Sequence, residues 1–121
     1  PAATGAEVVE ILVASRINTR TQAPLDGPLS EWSDSPGGVA SLWVAIDVRD
    51  VTASDTIEII VLKGDEFYGS VMLDETDLDS GWLAGRVELE VPDDDSETSY
   101  TFIARVNDTD TLDTTLELSP Q

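Results

Sequence analysis

The chain has 121 residues, of which 25 are acidic and 6 are basic, and it carries a formal net charge of −19 at pH 7. It contains neither cysteine nor histidine, which excludes disulfides, thiol nucleophiles, zinc sites built from these residues and Ser–His–Asp catalysis. So negative a chain repels phosphate backbones and anionic lipids, and we therefore expect neither nucleic acid nor a membrane as its partner. A hydrophobic fraction of 40% can still build a core, which predicts one domain over residues 1–121.

The first two segments of the chain differ in pattern. Residues 1–16 contain an apolar stretch at residues 7–15 that predicts a first strand, with a short helix as the alternative. Residues 17–38 are punctuated by Pro24, Pro28, Pro36 and several glycines and have no clear period, which predicts an irregular arm or long loop. This arm either crosses between two sheets and closes the end of the fold, or docks on a neighbouring subunit.

The third segment, residues 39–121, predicts the main sandwich. Apolar and polar residues alternate at residues 41–49, 83–91, 100–106 and 112–118, which is the pattern of half-buried strands. Residues 56–63 and 66–73 are rich in β-branched and aromatic residues, which also favours strands. Turn signals separate these segments, and residues 74–81 are predicted to form a longer acidic loop. The chain is therefore predicted to be an all-β antiparallel sandwich of about seven strands.

From Ala40 onward, this rhythm of strands and turns resembles an immunoglobulin-like or fibronectin type III-like domain, over about 80 residues. The chain lacks the Cys…Trp…Cys pattern of true immunoglobulin domains. A jelly roll or a small barrel has nearly the same rhythm. The resemblance implies a β-sandwich without assigning it to a particular family.

The composition carries a second resemblance. Asp outnumbers Glu, threonine is abundant, and Lys63 is the chain's one lysine. This is similar to the composition of proteins from extremely halophilic archaea and their viruses. Such a chain repels itself at ordinary ionic strength, whereas molar salt shortens the screening length to about 3 Å. We therefore expect its stability to depend on salt.

Several large apolar residues fall where the surface of a sandwich is expected. Trp43 alternates with the core residues of its strand, and Ile60, Leu62 and Ile103 alternate with the core residues of theirs. Either the chain's own arm covers these residues or another subunit does. The candidate interface residues from the arm and from the outer faces are Leu25, Leu29, Trp32, Trp43, Ile60, Leu62 and Ile103.

Asp93, Asp94 and Asp95 are consecutive on a predicted loop, and carboxylates are suitable ligands for Ca²⁺ or Mg²⁺. Their spacing does not match an EF-hand, and a solvated acidic loop is the simpler interpretation in so acidic a chain. No other cofactor is expected. The sequence offers no recognisable set of catalytic residues, so we do not expect an enzyme.

These observations predict a non-enzymatic structural subunit of a halophilic assembly. The resemblance in composition implies a virion protein of an archaeal virus, such as a capsid decoration, turret or tail component, assembled in the host cytoplasm. Its partners would be copies of itself or capsid or tail proteins. The alternative is an adhesion or carbohydrate-binding module at the cell surface, with Trp32, Trp43 or Trp82 stacking on sugars. A third hypothesis is a Ca²⁺-dependent domain that uses the loop at Asp93–Asp95.

Overall fold

The computed structural model describes residues 6–52, 54–73 and 80–121. It confirms the all-β sandwich, with eight strands in two sheets whose paired strands are antiparallel except for β2 and β8. The strands are β1 (Glu7–Ala14), β2 (Glu31–Asp34), β3 (Val39–Arg49), β4 (Ile57–Lys63), β5 (Glu66–Leu73), β6 (Ser80–Glu90), β7 (Thr98–Val106) and β8 (Thr109–Pro120).

The order of the strands determines which of them lie at the edges. The first sheet has the order β1–β3–β6, and the second has the order β2–β8–β7–β4–β5. The first sheet packs on the second, with β1 next to β8 on one side and β6 next to β5 on the other. The edge strands are therefore β1 and β6 in the first sheet and β2 and β5 in the second.

The core lies between the two sheets and takes one side of each long strand. Alternate residues of β3, β6 and β7, such as Leu42, Leu89 and Phe102, are fully buried there. Burying a side chain of this size contributes about 1.5–3 kcal/mol to stability. Tyr100 is also buried, and its hydroxyl donates to the carbonyl oxygen of Glu90 at 2.8 Å. Burial raises the pKa of Tyr100 to about 12, with smaller contributions from Tyr68 and Glu90.

Gly85 lets the two sheets approach closely at the β5–β6 side. A Cβ atom at this position would lie 2.8 Å from Leu73 Cδ2 and 3.0 Å from Val71 Cγ1. Because Gly85 has no side chain, Leu73 and Val71 of β5 fill the space beside it on β6. This contact holds β5 against the core by its inner side chains.

The arm is more ordered than its composition predicts, and it supplies a strand beyond the seven that were expected. β2 lies inside the segment predicted to be irregular and pairs in parallel with β8, with Trp32 opposite Leu118. Four residues are too few to show a period, and this strand is defined by a partner more than 80 residues away. The prediction of an irregular segment over all of residues 17–38 was wrong at this point.

Two predicted boundaries also change. β6 begins at Ser80, whereas alternation predicted a start at Leu83, and β8 extends over Thr109–Pro120. The acidic loop predicted at residues 74–81 lies largely outside the described residues, so it stays a prediction.

Candidate interaction surfaces

The outer side of the second sheet carries an apolar face made by β5, β4 and β7. Phe67 and Met72 on β5 are 67% and 62% exposed, although both are large and apolar. Phe67 lies opposite Leu62, and Ile60 lies opposite Ile103, so these side chains form a continuous patch across three strands. We call Ile60, Leu62, Phe67, Met72 and Ile103 the apolar face.

Three of the predicted interface residues thus come together. Leu62 and Ile103 are half-buried and remain accessible. Ile60 is only 6% exposed, so its candidacy as a contact residue is corrected: it is the floor of the face, covered by its neighbours on β5 and β7.

Phe67 and Met72 were missed by the sequence analysis, and a β-bulge explains why. They are five residues apart, which places them on opposite sides of a regular strand. The pairing of β5 with β4 shifts register between Val61 and Leu62. Val61 lies opposite Gly69 and Leu62 lies opposite Phe67, which leaves Tyr68 as the extra residue of the bulge. The bulge turns Phe67 to the same side as Met72. The one sequence signal that could have marked this shift is Gly69, because an isolated glycine inside a strand often accompanies a bulge.

Charged residues border the apolar face, since Glu58 lies opposite Met72 and Asp113 lies opposite Ile103. Glu58 lies opposite Arg105 in the β4–β7 pair, and Arg105 Nε is 2.7 Å from Asp110 Oδ1. The hydrogen bond that Arg105 Nε donates to Asp110, followed by the charges of Asp110 and Glu58, raises the pKa of Arg105 above its ordinary value. From Phe67 to Leu73, β5 has no charged residue. This surface is an apolar area, bordered by a few charged side chains, on a strongly negative protein.

The outer side of the first sheet is different, because the chain's own arm covers part of it. Ala14 and Ala45 are fully buried although they point away from the main core, and they form a second small cluster with Leu12. Gln22 Oε1 accepts a hydrogen bond from the backbone of Ala84 on β6 at 2.9 Å. Since the arm leaves from β1 at the opposite edge, it must cross this face to reach β6.

Two tryptophans lie on this covered face. Trp43 is half-buried on the outer side of β3, and Trp82 packs beside Ala84 on the small cluster. Both keep part of their ring accessible.

The candidate interface residues of the arm do not form one contact surface. Leu29 and Trp32 pack against the main core, and Trp32 Nε1 donates to Asp34 Oδ2 at 3.3 Å. These two candidates are corrected, because their apolar surface closes the side of the sandwich in their own chain. Leu25 is 55% exposed and remains available.

Asp93 and Asp94 line a polar cleft together with Lys63 and Gly37, whereas Asp95 of the same loop does not line it. The backbone N–H and the hydroxyl of Ser96 donate to Asp94 Oδ1 and lower the pKa of this carboxyl. Asp94 therefore stabilises its own turn. In the part of the chain that the structure describes, no three acidic side chains are grouped to hold a metal ion. Binding of Ca²⁺ or Mg²⁺ here stays a prediction.

Comparison with known proteins assigns no family. No protein-family model matches the chain, and no curated protein matches it. The chain is similar to a solved structure of the N-terminal domain of PorA, with 10% identity and a TM-score of 0.38, over 93% of this chain and 98% of that one. A likeness this distant carries no argument about function. The described residues also include no helix long and apolar enough to cross a membrane.

Proposed function

We propose that the protein is a non-enzymatic structural subunit of a halophilic macromolecular assembly, bound to other subunits through the apolar face. The observation that carries this proposal is the exposure of Phe67, which lies beside Leu62, and of Met72 on the same side of β5. Exposed apolar patches of this kind mark contact surfaces in soluble proteins. Here the patch contrasts with a chain whose net charge is −19.

The assembly that fits best is a virion of an archaeal virus, in which the protein would serve as a capsid decoration, turret or tail component. The composition described above supports this step, since a surface rich in carboxylates is suited to molar salt. Mass spectrometry of particles purified from a hypersaline culture that expresses the chain tests it. We expect the chain in stoichiometric amounts in the particles, and its absence from them would overturn the virion assignment.

The contact surface is tested by the mass of the protein in solution. Light scattering after size exclusion in about 3 M salt, where the screening length falls below about 3 Å, should give a discrete oligomer. The double variant Phe67→Ser/Met72→Ser should be a monomer under the same conditions. Leu25→Ser is the matched control, because it removes an equally exposed apolar side chain from the arm. A monomeric wild type, or an oligomer that survives the double substitution, contradicts the proposal.

A carbohydrate-binding module is the second candidate. It is favoured by the position of Trp43 and Trp82 on one outer face, with part of each ring accessible. Trp32 does not contribute to it, because it packs on the core. Glycan binding in about 3 M salt, where charge repulsion is screened, should then be lost in Trp43→Ala and retained in Phe67→Ser. Binding that is absent in the wild type removes this candidate.

A further inference from the structure

The four sheet edges of the sandwich are not equally protected. Unpaired edges are a route to association, and proteins cover them, shorten them or place charges along them. β1 carries Glu7 and Glu10, and near its end the carbonyl oxygen of Val13 accepts from Leu29 N at 2.9 Å. β2 has only four residues and includes Glu31 and Asp34. Both edges therefore carry features that disfavour pairing with a further strand.

The edge of β6 is occupied by side chains of the same protein. Ala84 N donates to Gln22 Oε1 at 2.9 Å. Further along, the hydroxyls of Tyr68 and Tyr100 donate to the carbonyl oxygens of Glu88 and Glu90 at 3.0 and 2.8 Å. Backbone groups of β6 are thus satisfied without another chain.

The edge of β5 has none of these protections among the described residues. The strand is eight residues long and is uncharged from Phe67 to Leu73. No described residue outside β4 donates to its backbone or accepts from it.

We propose that β5 pairs in antiparallel fashion with β5 of a second copy of this chain, which joins the two larger sheets into one continuous sheet across a two-fold axis. This inference rests on the proposed function and names the partner at the apolar face. A two-fold contact uses the same patch on both subunits. It brings Phe67 and Met72 of both copies onto one outer surface, beside the new strand pair.

The distribution of charge favours the edge of β5 as the place where two copies of the chain meet. Two chains of net charge −19 repel wherever their carboxylates meet. The edges of β1 and β2 would bring glutamates together, whereas β5 presents an uncharged stretch to its own symmetry mate. The edge of β5 is therefore the described edge at which two copies approach with the least repulsion.

The exposed area of these side chains is too small for a stable interface, so the backbone of β5 must also take part in the contact. Phe67 and Met72 each expose about two thirds of a side chain of roughly 200 Å², so two copies offer about 500 Å² from these residues. A stable interface buries at least about 1,200 Å². Side chains alone fall short, whereas pairing of two eight-residue strands adds their backbones and flanking residues.

Cross-linking through a single introduced cysteine tests the pairing, since the chain has none of its own. Ser70 is exposed near the middle of β5, and Thr115 is exposed on the same side of β8, as a matched control. With a short bismaleimide at about 3 M salt, Ser70→Cys should give a covalent dimer and Thr115→Cys should not. A dimer from Thr115→Cys and none from Ser70→Cys overturns edge pairing.

Amide hydrogen exchange separates this inference from the proposed function. At constant high salt, a rise in protein concentration should slow exchange within residues 67–73, because new backbone hydrogen bonds form there. An oligomer that depends on Phe67 and Met72 but leaves this exchange unchanged would overturn edge pairing and leave the subunit role intact. A monomer at all concentrations would overturn both.

Discussion

The register of the first sheet places charges so that two neighbouring glutamates of β1 should have opposite effects on stability. Glu10 lies opposite Asp47 on β3, and Glu7 lies opposite Arg49. Both glutamates are exposed, and the same substitution to glutamine removes a like-charge pair in one case and an attractive pair in the other. Glu10→Gln should therefore stabilise the protein, and Glu7→Gln should destabilise it.

The size of the effect follows from Coulomb's law. Charges about 6 Å apart on neighbouring strands interact by about 0.7 kcal/mol in water. With a screening length of about 8 Å, roughly half of this interaction energy remains, which is about 0.3 kcal/mol. In molar salt roughly a tenth of it remains. The two variants should differ by about 0.6 kcal/mol at low salt, which is about 2–3 °C in melting temperature for a domain of this size.

Circular dichroism melting measures this difference. The low-salt sample should contain the least salt at which the wild type still unfolds cooperatively, and the high-salt sample about 3 M. The difference between Glu10→Gln and Glu7→Gln should shrink to near zero at high salt. Shifts of the same sign in both variants, or a difference that persists undiminished at high salt, would refute the register-based reasoning.

Three further predictions concern the whole fold, one glycine and one tyrosine. The wild type should melt at a lower temperature at about 0.15 M than at about 3 M salt, and equal melting temperatures would contradict a repulsive surface. Gly27→Ala should cost about 1–3 kcal/mol, because φ is +92° and the new Cβ would lie 2.6 Å from the Val13 oxygen; Gly64→Ala, at φ +62° with no neighbour within 4 Å, is the control and should cost less. Stability should fall as pH rises from 10 to 12, since the fold holds the proton of Tyr100 to a pKa of about 12. Tyr100→Phe should lose about 1 kcal/mol and flatten that alkaline decline, and a decline of unchanged depth would refute the assignment.

The regular part of the sandwich could be predicted because burial there follows the period of a strand. β6 and β7 alternate between buried and accessible residues, as β3 does except at Ala45, and each was predicted from this pattern. β4 is apolar on both sides, and the structure gives the reason: its inner residues enter the main core, whereas Ile60 and Leu62 form part of the apolar face. The alternation thus identified the faces as well as the strands.

The parts that could not be predicted depend on contacts between residues far apart in sequence. β2 exists because residues 31–34 pair with the end of β8, and no local pattern encodes that partner. The bulge in β5 is set by pairing with β4, and it alone decides that Phe67 is exposed. A pattern that assumes a regular strand therefore could not predict that Phe67 and Met72 lie on the same side of β5.

The net charge of the chain opposes association and the β5 edge favours it, and the salt concentration determines which effect is larger. A strand edge with no described partner and seven consecutive uncharged residues invites uncontrolled pairing in an ordinary protein. Here each copy carries a charge of −19, which keeps copies apart while screening is weak. In molar salt, repulsion reaches only about 3 Å, and the short-range contacts of the edge and of Phe67 and Met72 then prevail. The same change in ionic strength that stabilises the fold should therefore also tighten the dimer, so its dissociation constant should fall as salt rises, opposite to a contact made of ion pairs.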